Sequence, residues 1–274
     1  MKAPNAGPVA RSLLFVPGDR PDRFDKAAAS GAHQIILDLE DGVAPASKAN
    51  ARASVAAWLA AGKPAVVRVN AADTDRFGDD LALVRAMPAA MLMLSKADSR
   101  SLTEAAQALP GRPLIALLET VKGFVGLRQL AGVPGLARIA FGSVDFGVET
   151  GIADEGEAMT ALRTQIVLES CFAGLAPPVD GVSLGFDDDA SMRGFALRSR
   201  QLGFGGKLCI HPKQVSAVNA AFRPNSAQVQ WARRVLAAFE ASAGSATSVD
   251  GVMVDKPVVE RARHVVEEAG AEAP

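Results

Sequence analysis

Eight short apolar runs, four or five residues each, recur along the chain with helical segments between them. They lie at 12–16 (SLLFV), 35–39 (IILDL), 65–69 (AVVRV), 90–94 (AMLML), 114–118 (LIALL), 139–142 (IAFG), 181–184 (GVSL) and 207–210 (KLCI). Continuous apolar runs of this length read as strands buried on both faces, the pattern of a parallel sheet covered by helices. The intervening segments, such as SKANARASVAAWLAAG and GEAMTALRTQIVLESCFAG, have helical character. Several stop at a glycine suited to a left-handed C-cap, at Gly31, Gly62, Gly174 and Gly203. Eight strand–helix units close into a barrel, so the expected fold is α/β, a single (β/α)8 TIM barrel over residues 1–222. Beyond it, residues 223–274 read as a C-terminal helical extension. There the amphipathic NSAQVQWARRVLAAFEASAG precedes a Gly/Ser/Thr-rich break at 244–251, and the run VMVDKP leads into a last helix, PVVERARHVVEEAG. Barrel closure does not need this extension, which leaves it free to serve as a lid or an oligomer arm.

Composition bounds the rest. A chain of 274 residues that is 49% hydrophobic can bury one large core. Its formal net charge of −1, with no Lys/Arg block, leaves no surplus for nucleic-acid backbones or anionic lipid. No apolar run approaches a membrane span, and MKAPNAGPVARS lacks the apolar stretch of a signal peptide, so a soluble, cytoplasmic chain is expected. Cys171 and Cys209 lack metal-ligand spacing and read as buried, reduced thiols. Of the three histidines, His33 and His264 fall on predicted helices or their ends and read as solvated, which removes an imidazole-rich metal site.

Strands buried on both faces make a charged residue at a C-terminal strand end either a paired structural group or part of a site at that face of the barrel. LIALLE and IAFGSVD each end in a carboxylate, Glu119 and Asp145, one strand–helix unit apart. Neighbouring parallel strands lie roughly 5 Å apart, close enough for both acids to reach one small hard cation. Two carboxylates suit Mg²⁺ better than zinc; the alternative is a salt bridge to Arg68, Lys96 or Lys122. Arg68 interrupts the strand VVRVN and needs an anion, either a substrate carboxylate or a partner among Asp38, Glu40 and Asp41, and both can hold at once. The DLED cluster reads mainly as support that orients Arg68, Lys96 or metal-bound water. In FVPGDRPDRFDK a turn leads into a helix with Arg20, Arg23 and Lys26 close by, either a place for a phosphate-bearing ligand or a solvated basic face.

Taken in order, RSLLFVPGDRPDRF, ILDLEDGVAPASKANAR, VVRVN, LLET, FGSVDFG and CIHPKQ resemble the citrate lyase β-subunit-like enzymes of the HpcH/HpaI aldolase family, whose members include malyl-CoA and citramalyl-CoA lyases. The resemblance implies that Glu119 and Asp145 bind Mg²⁺, that Val144 and Asp145 contact substrate, and that Arg68 holds the carboxylate of the oxo-acid portion. It further implies that Phe15, Arg20 and Lys26 contact the CoA portion, and that Ile210 and His211 form a substrate-contacting pair. Asp255 in VMVDKP matches an aspartate in a C-terminal lid that reaches a neighbouring subunit's active site, and trimers or hexamers are common among relatives. One departure is FGVETGI, where relatives often carry a second acid before the glycine; Glu149 is the candidate substitute.

The expected activity is therefore Mg²⁺-dependent cleavage of a 3-hydroxyacyl-CoA thioester of the citryl-, malyl- or citramalyl-CoA type to an acyl-CoA and an oxo-acid, or the reverse condensation. Its catalytic residues would be Arg68 and Asp255. A Mg²⁺-dependent pyruvate aldolase without CoA, a β-subunit that works only inside a citrate lyase complex, and a thioesterase step after condensation are the competing expectations. A Schiff base on Lys96 would be redundant beside a metal site.

Overall fold

The computed structural model describes residues 9–154 and 156–270. Strands β1 (Ser12–Pro17), β2 (Gln34–Asp38), β3 (Ala65–Val69), β4 (Ala90–Leu94), β5 (Leu114–Leu118), β6 (Leu136–Phe141), β7 (Val179–Asp180) and β8 (Gly206–Cys209) form a closed parallel barrel in sequence order, with β8 paired back onto β1. Helix α1 (Phe24–Ala28) follows β1, α2 (Lys48–Ala60) follows β2, α3 (Phe77–Ala86) follows β3 and α4 (Ser99–Ala108) follows β4. After β5 come α5 (Val121–Val125) and α6 (Leu127–Ala131); after β6, α7 (Ser143–Thr150) and α8 (Thr160–Phe172). Helix α9 (Asp189–Gln201) follows β7, and α10 (Lys213–Phe222) follows β8. The eight-unit expectation is met.

The barrel interior is packed by Leu13, Ile36, Val66, Met93, Ile115, Leu117, Ala140, Val179 and Leu208. Each large aliphatic side chain among them contributes about 1.5–3 kcal/mol by leaving water. Side chains alternate between faces with period two, so the residue two places beyond an interior one also points inward. That rule carries Leu13 to Phe15, Ile36 to Asp38, Val66 to Arg68, Leu117 to Glu119 and Leu208 to Ile210. The candidate residues thus form the layer above the hydrophobic core, at the C-terminal mouth where barrel enzymes keep their chemistry.

Three local expectations are corrected. The seventh strand is Val179–Asp180, ahead of the GVSL run at 181–184. The ladder stops there because the Asp180 carboxylate accepts the Gly181 N–H at 2.8 Å and Lys207 Nζ donates to the Gly181 carbonyl at 2.6 Å, leaving neither group for a strand partner. Cys171 is exposed, since α8 buries Arg163, Ile166, Glu169 and Ser170; only Cys209 is a buried thiol, pushed up to about 12 by desolvation. His33 lies just before β2 rather than on a helix, with Nδ1 3.2 Å from Ser12 Oγ.

From Ala221 to the end of the described residues the chain forms a second compact unit. Within it, α11 (Ser226–Ala241) and α12 (Lys256–Gly270) pack Ala232, Val235, Val254, Val259 and Ala262 into a small core. Where the sequence suggested only a break, a hairpin forms from β9 (Thr247–Val249) and β10 (Val252–Val254). Its turn is Asp250–Gly251, with φ of +53° and +77°, the two left-handed residues that a tight hairpin turn requires. Among the described residues no helix is long and apolar enough to cross a membrane.

Candidate functional site

A cavity of about 330 Å³ opens at the C-terminal ends of the barrel strands. Phe15, Arg68, Glu119, Val144, Asp145 and Ile210 line it, together with Asp38 and Asp41. Six of the candidate residues therefore converge. Strand β5 pairs with β6 so that Leu118 faces Phe141, which sets Glu119 beside Gly142. Asp145 was expected at a strand end; it sits instead in the first turn of α7, beyond the end of β6.

Glu119 is 3% exposed, and its Oε1 accepts the backbone N–H of Lys96 at 2.7 Å. Lys96 reaches that position with a φ of +49°, a left-handed conformation that a non-glycine residue adopts at a cost of about 1–2 kcal/mol. Burial first, and the Glu40 carboxylate next, push Glu119 up to about 8; the Lys96 N–H and Arg68 pull it down, and Asp145 raises it again. Among the described residues, no lysine or arginine head group stands within ion-pairing distance of Glu119 or Asp145. Lys122 pairs with Asp98, and Lys96 lies 3.7 Å from Glu40. The salt-bridge alternative is thus not realised.

The donor set fits a hard divalent cation. Glu119 and Asp145 offer only carboxylate oxygens, no histidine or cysteine lines the cavity, and the remaining wall leaves coordination positions to water or a bound acid. Gly142 preserves the space: a Cβ there would collide with the Glu119 side chain and come 2.8 Å from its Oε2. Gly142→Ala is accordingly expected to destabilise the barrel by about 1–3 kcal/mol and to weaken any response to Mg²⁺, both read from melting curves with and without the metal.

Arg68 is held on two sides. Nε and Nη2 donate to the two oxygens of Asp38 at 2.6 Å each, Nη1 lies 3.0 Å from Glu40 Oε2, and the guanidinium stacks on Phe15 at 4.7 Å from the ring centre. Burial opposes its charge, but Asp38 and then Glu40 more than compensate and raise its pKa. Two of its five N–H groups are hydrogen-bonded to Asp38 and Nη1 is ion-paired with Glu40, which leaves N–H groups for one carboxylate in the cavity. Asp38 also accepts the Glu40 and Gly42 N–H groups at 2.9 and 2.8 Å, so the same acid shapes the loop that follows β2.

Beneath this layer lies a polar platform that the sequence did not reveal. Lys48 Nζ donates to the carbonyls of Leu39 and Glu40 at 2.7 Å each and to Asn70 Oδ1 at 2.9 Å, while Asn70 Nδ2 donates to Asp80 at 2.6 Å. A lysine opening a helix looks solvated in the sequence; burial beneath the DLED loop gives it its role. Glu40 itself follows from the same alternation as Asp38, two places further on, and burial raises its pKa despite Arg68.

Other candidates stand elsewhere. Arg20 is exposed and pairs with Asp22 at 2.9 Å, and Lys26 is exposed on α1; neither lines the cavity. His211 stacks on Phe186, ring centres 4.4 Å apart, beside the lining residue Ile210. Glu149 accepts the Val121 N–H at 2.9 Å, which commits it to the start of α5. Asp255, in the second unit, precedes α12 and accepts the Val258 N–H at 3.3 Å. Lys96 is held protonated: burial opposes its charge, but Glu40 and then Asp41, Glu119 and Asp145 outweigh it, so it is unsuited to Schiff-base chemistry.

Known proteins share both sequence and fold with this chain. The profile of the HpcH/HpaI aldolase/citrate lyase family matches residues 11–212. A citrate lyase subunit beta-like protein of Mycobacterium tuberculosis H37Rv is 37% identical, covering 97% of this chain and 96% of its own. A (3S)-malyl-CoA thioesterase of Cereibacter sphaeroides ATCC 17029 is 33% identical over 95% of both chains. The crystal structure of CitE from Mycobacterium tuberculosis in complex with magnesium, acetoacetate and coenzyme A superposes with a TM-score of 0.83 at 34% identity, covering 97% of this chain and 98% of that one. With the barrel, the ordered motifs and full-length relatives in agreement, the chain belongs to the HpcH/HpaI aldolase/citrate lyase family.

Proposed function

We propose that this protein is a Mg²⁺-dependent carbon–carbon lyase that cleaves a 3-hydroxyacyl-CoA thioester of the citryl-, malyl- or citramalyl-CoA type to an acyl-CoA and a 2-oxo acid, or joins them in reverse. The observation that carries this reading is the convergence of Glu119, Asp145 and Arg68 on one cavity. A relative crystallised with magnesium, acetoacetate and coenzyme A supports it.

Glu119 and Asp145 would hold the cation, which when bound supplies Lewis-acid polarisation of the oxygen at the reacting carbon. Arg68 binds and orients the carboxylate of the oxo-acid half, and its fork is pre-set by Asp38 and Glu40. Val144, Leu184 and Ile210 provide an apolar side to the cavity. In cleavage, the hydroxyl proton leaves, the electrons of the broken C–C bond pass to the thioester α-carbon, and a proton is returned there. Asp255 is the proposed donor, in the lid role of residues 223–274. Phe15, Arg20 and Lys26 are the proposed contacts to the CoA portion, and Ile210 with His211 the proposed substrate-contacting pair. The working form is a homo-oligomer, a trimer or hexamer.

The test is to incubate the purified full-length chain with Mg²⁺ and each of malyl-CoA, citramalyl-CoA and citryl-CoA and to identify the products. Acyl-CoA plus oxo-acid supports the lyase; no turnover of any of them overturns it. The malyl-CoA thioesterase relatives favour a second reading, hydrolysis of the thioester, which gives free CoA and the intact hydroxy-acid. Asp255→Asn keeps an N-cap for α12 while removing the acid. It is expected to lose at least about a hundredfold in turnover while retaining Mg²⁺ and oxo-acid binding. Unchanged turnover would remove Asp255 from the mechanism.

A further inference from the structure

Beside the cavity, and sharing Ser143 with its lining, lies a largely buried network that the reaction as described does not use. Ser143, 1% exposed, donates from Oγ to Asp154 Oδ2 at 2.9 Å. Arg163 Nη2 donates to the other oxygen of Asp154 at 2.7 Å, and its Nε donates to Asp180 at 2.9 Å. Asp180 also accepts Ser199 Oγ at 2.5 Å, and Lys207, buried beside it, closes the chain on the Gly181 carbonyl. Gly181 is required: a Cβ there would collide with Ser143 Oγ. Gly151, at a φ of +74°, ends α7 and turns the chain back so that Asp154 can reach Ser143.

We infer that Ser143, Asp154 and Arg163 form a positioning relay that fixes the Val144–Asp145 turn, and that this relay sets the affinity of the site for its divalent cation. The inference rests on the reading of Glu119 and Asp145 as the cation's ligands. Its physical basis is a contrast in support. Glu119 extends from a barrel strand and its Oε1 is held by the Lys96 N–H. Asp145 is exposed and sits on the first turn of an eight-residue helix, with no hydrogen bond or ion pair to its carboxylate among the described residues. A carboxylate on so short an element keeps its aim only if the element is anchored. Among the described residues, the buried polar anchor of that turn is Ser143, two residues before Asp145. The network beyond it ties α7 to the next two strands around the barrel, through Asp180 at the end of β7 and Lys207 in β8. Hydrogen-bond partners of metal ligands typically govern tenfold to hundredfold in affinity; Ser143 acts through the backbone two residues away, so the lower end of that range is expected.

The experiment is a double-mutant cycle on the full-length protein, with Mg²⁺ affinity measured by titration calorimetry beside the melting temperature of the metal-free protein. Ser143→Ala is expected to weaken Mg²⁺ binding by about tenfold with only a small change in melting temperature. Asp154→Ala should weaken it similarly, and the double variant should be no weaker than the worse single variant, because both act along one path. Arg163→Lys, which keeps a cation beside Asp154, should retain more affinity than Arg163→Met. If Ser143→Ala binds Mg²⁺ as the wild type does, or if the two losses add in full, the relay is structural only and the inference is overturned. If the wild type itself shows no Mg²⁺ binding, the reading of Glu119 and Asp145 fails and takes the relay with it.

Discussion

Glu119→Gln is expected to abolish Mg²⁺-dependent turnover, by at least about a thousandfold, and at the same time to make the metal-free protein more stable at alkaline pH. The second half follows from linkage. The carboxyl has an ordinary value of 4.5 and is pushed up to about 8 by burial and by Glu40. Between those values the folded chain holds a proton that the unfolded chain has lost. The stability that this group contributes is therefore fully present below about pH 4.5 and falls as pH rises toward about 8, above which the loss is complete. Its full extent is on the order of 3–5 kcal/mol. Glutamine has no proton to lose, so the gap in metal-free melting temperature between the variant and the wild type should widen steadily across that window. Mg²⁺ should restore the wild type at pH 9 and leave the variant unmoved, because the cation binds the ionised acid. A metal-free wild type whose gap to Glu119→Gln does not change with pH would refute this account of the site, as would a variant that still turns over.

Much of this site was legible in the sequence because barrel strands alternate strictly. Once LIALL and VVRVN are read as strands, Glu119 and Arg68 have to face inward, and their neighbourhood follows from consecutive pairing of β2 to β6. What was not legible depends on contacts between residues distant in the chain. Lys48 and Asp80 look like ordinary helix-surface charges until the β2 and β3 loops fold over them. The GVSL run has the composition of a strand, and only Asp180 and Lys207, arriving from different strands, show that Gly181 has no hydrogen bonds to spare. The hairpin at 247–254 was a different kind of miss. Its Asp-Gly signal was present between two valine-containing runs and was outweighed by the glycines and serines around it. The carry-over from the family resemblance divides along the same line. Residues on barrel strands and the turn after β6 converge on the cavity, whereas Arg20, Lys26 and His211 stand outside it.

Arg68 is where fold and chemistry meet, and its substitution should separate them. Arg68→Met removes the cation from between Asp38 and Glu40 and leaves two buried carboxylates facing each other, with Glu119 close by. Breaking a buried pair in this way typically costs about 3–5 kcal/mol, and much of that loss should be regained at acid pH, where the stranded acids take up protons. Arg68→Lys returns one charge but not the fork. A single ammonium cannot occupy both oxygens of Asp38, reach Glu40 and still present N–H groups to a ligand carboxylate. The lysine variant is therefore expected to recover most of the melting temperature and to keep Mg²⁺ binding, while oxo-acid affinity falls by at least about a hundredfold. If Arg68→Lys bound pyruvate or glyoxylate as the wild type does, Arg68 would be a structural ion pair alone. If both variants lost stability and Mg²⁺ binding together, the guanidinium would be holding the whole acidic mouth in shape. The separation expected here has a geometric origin: Asp38 and Glu40 use one edge and one corner of the guanidinium, and the remaining N–H groups are what the substrate has left to bind.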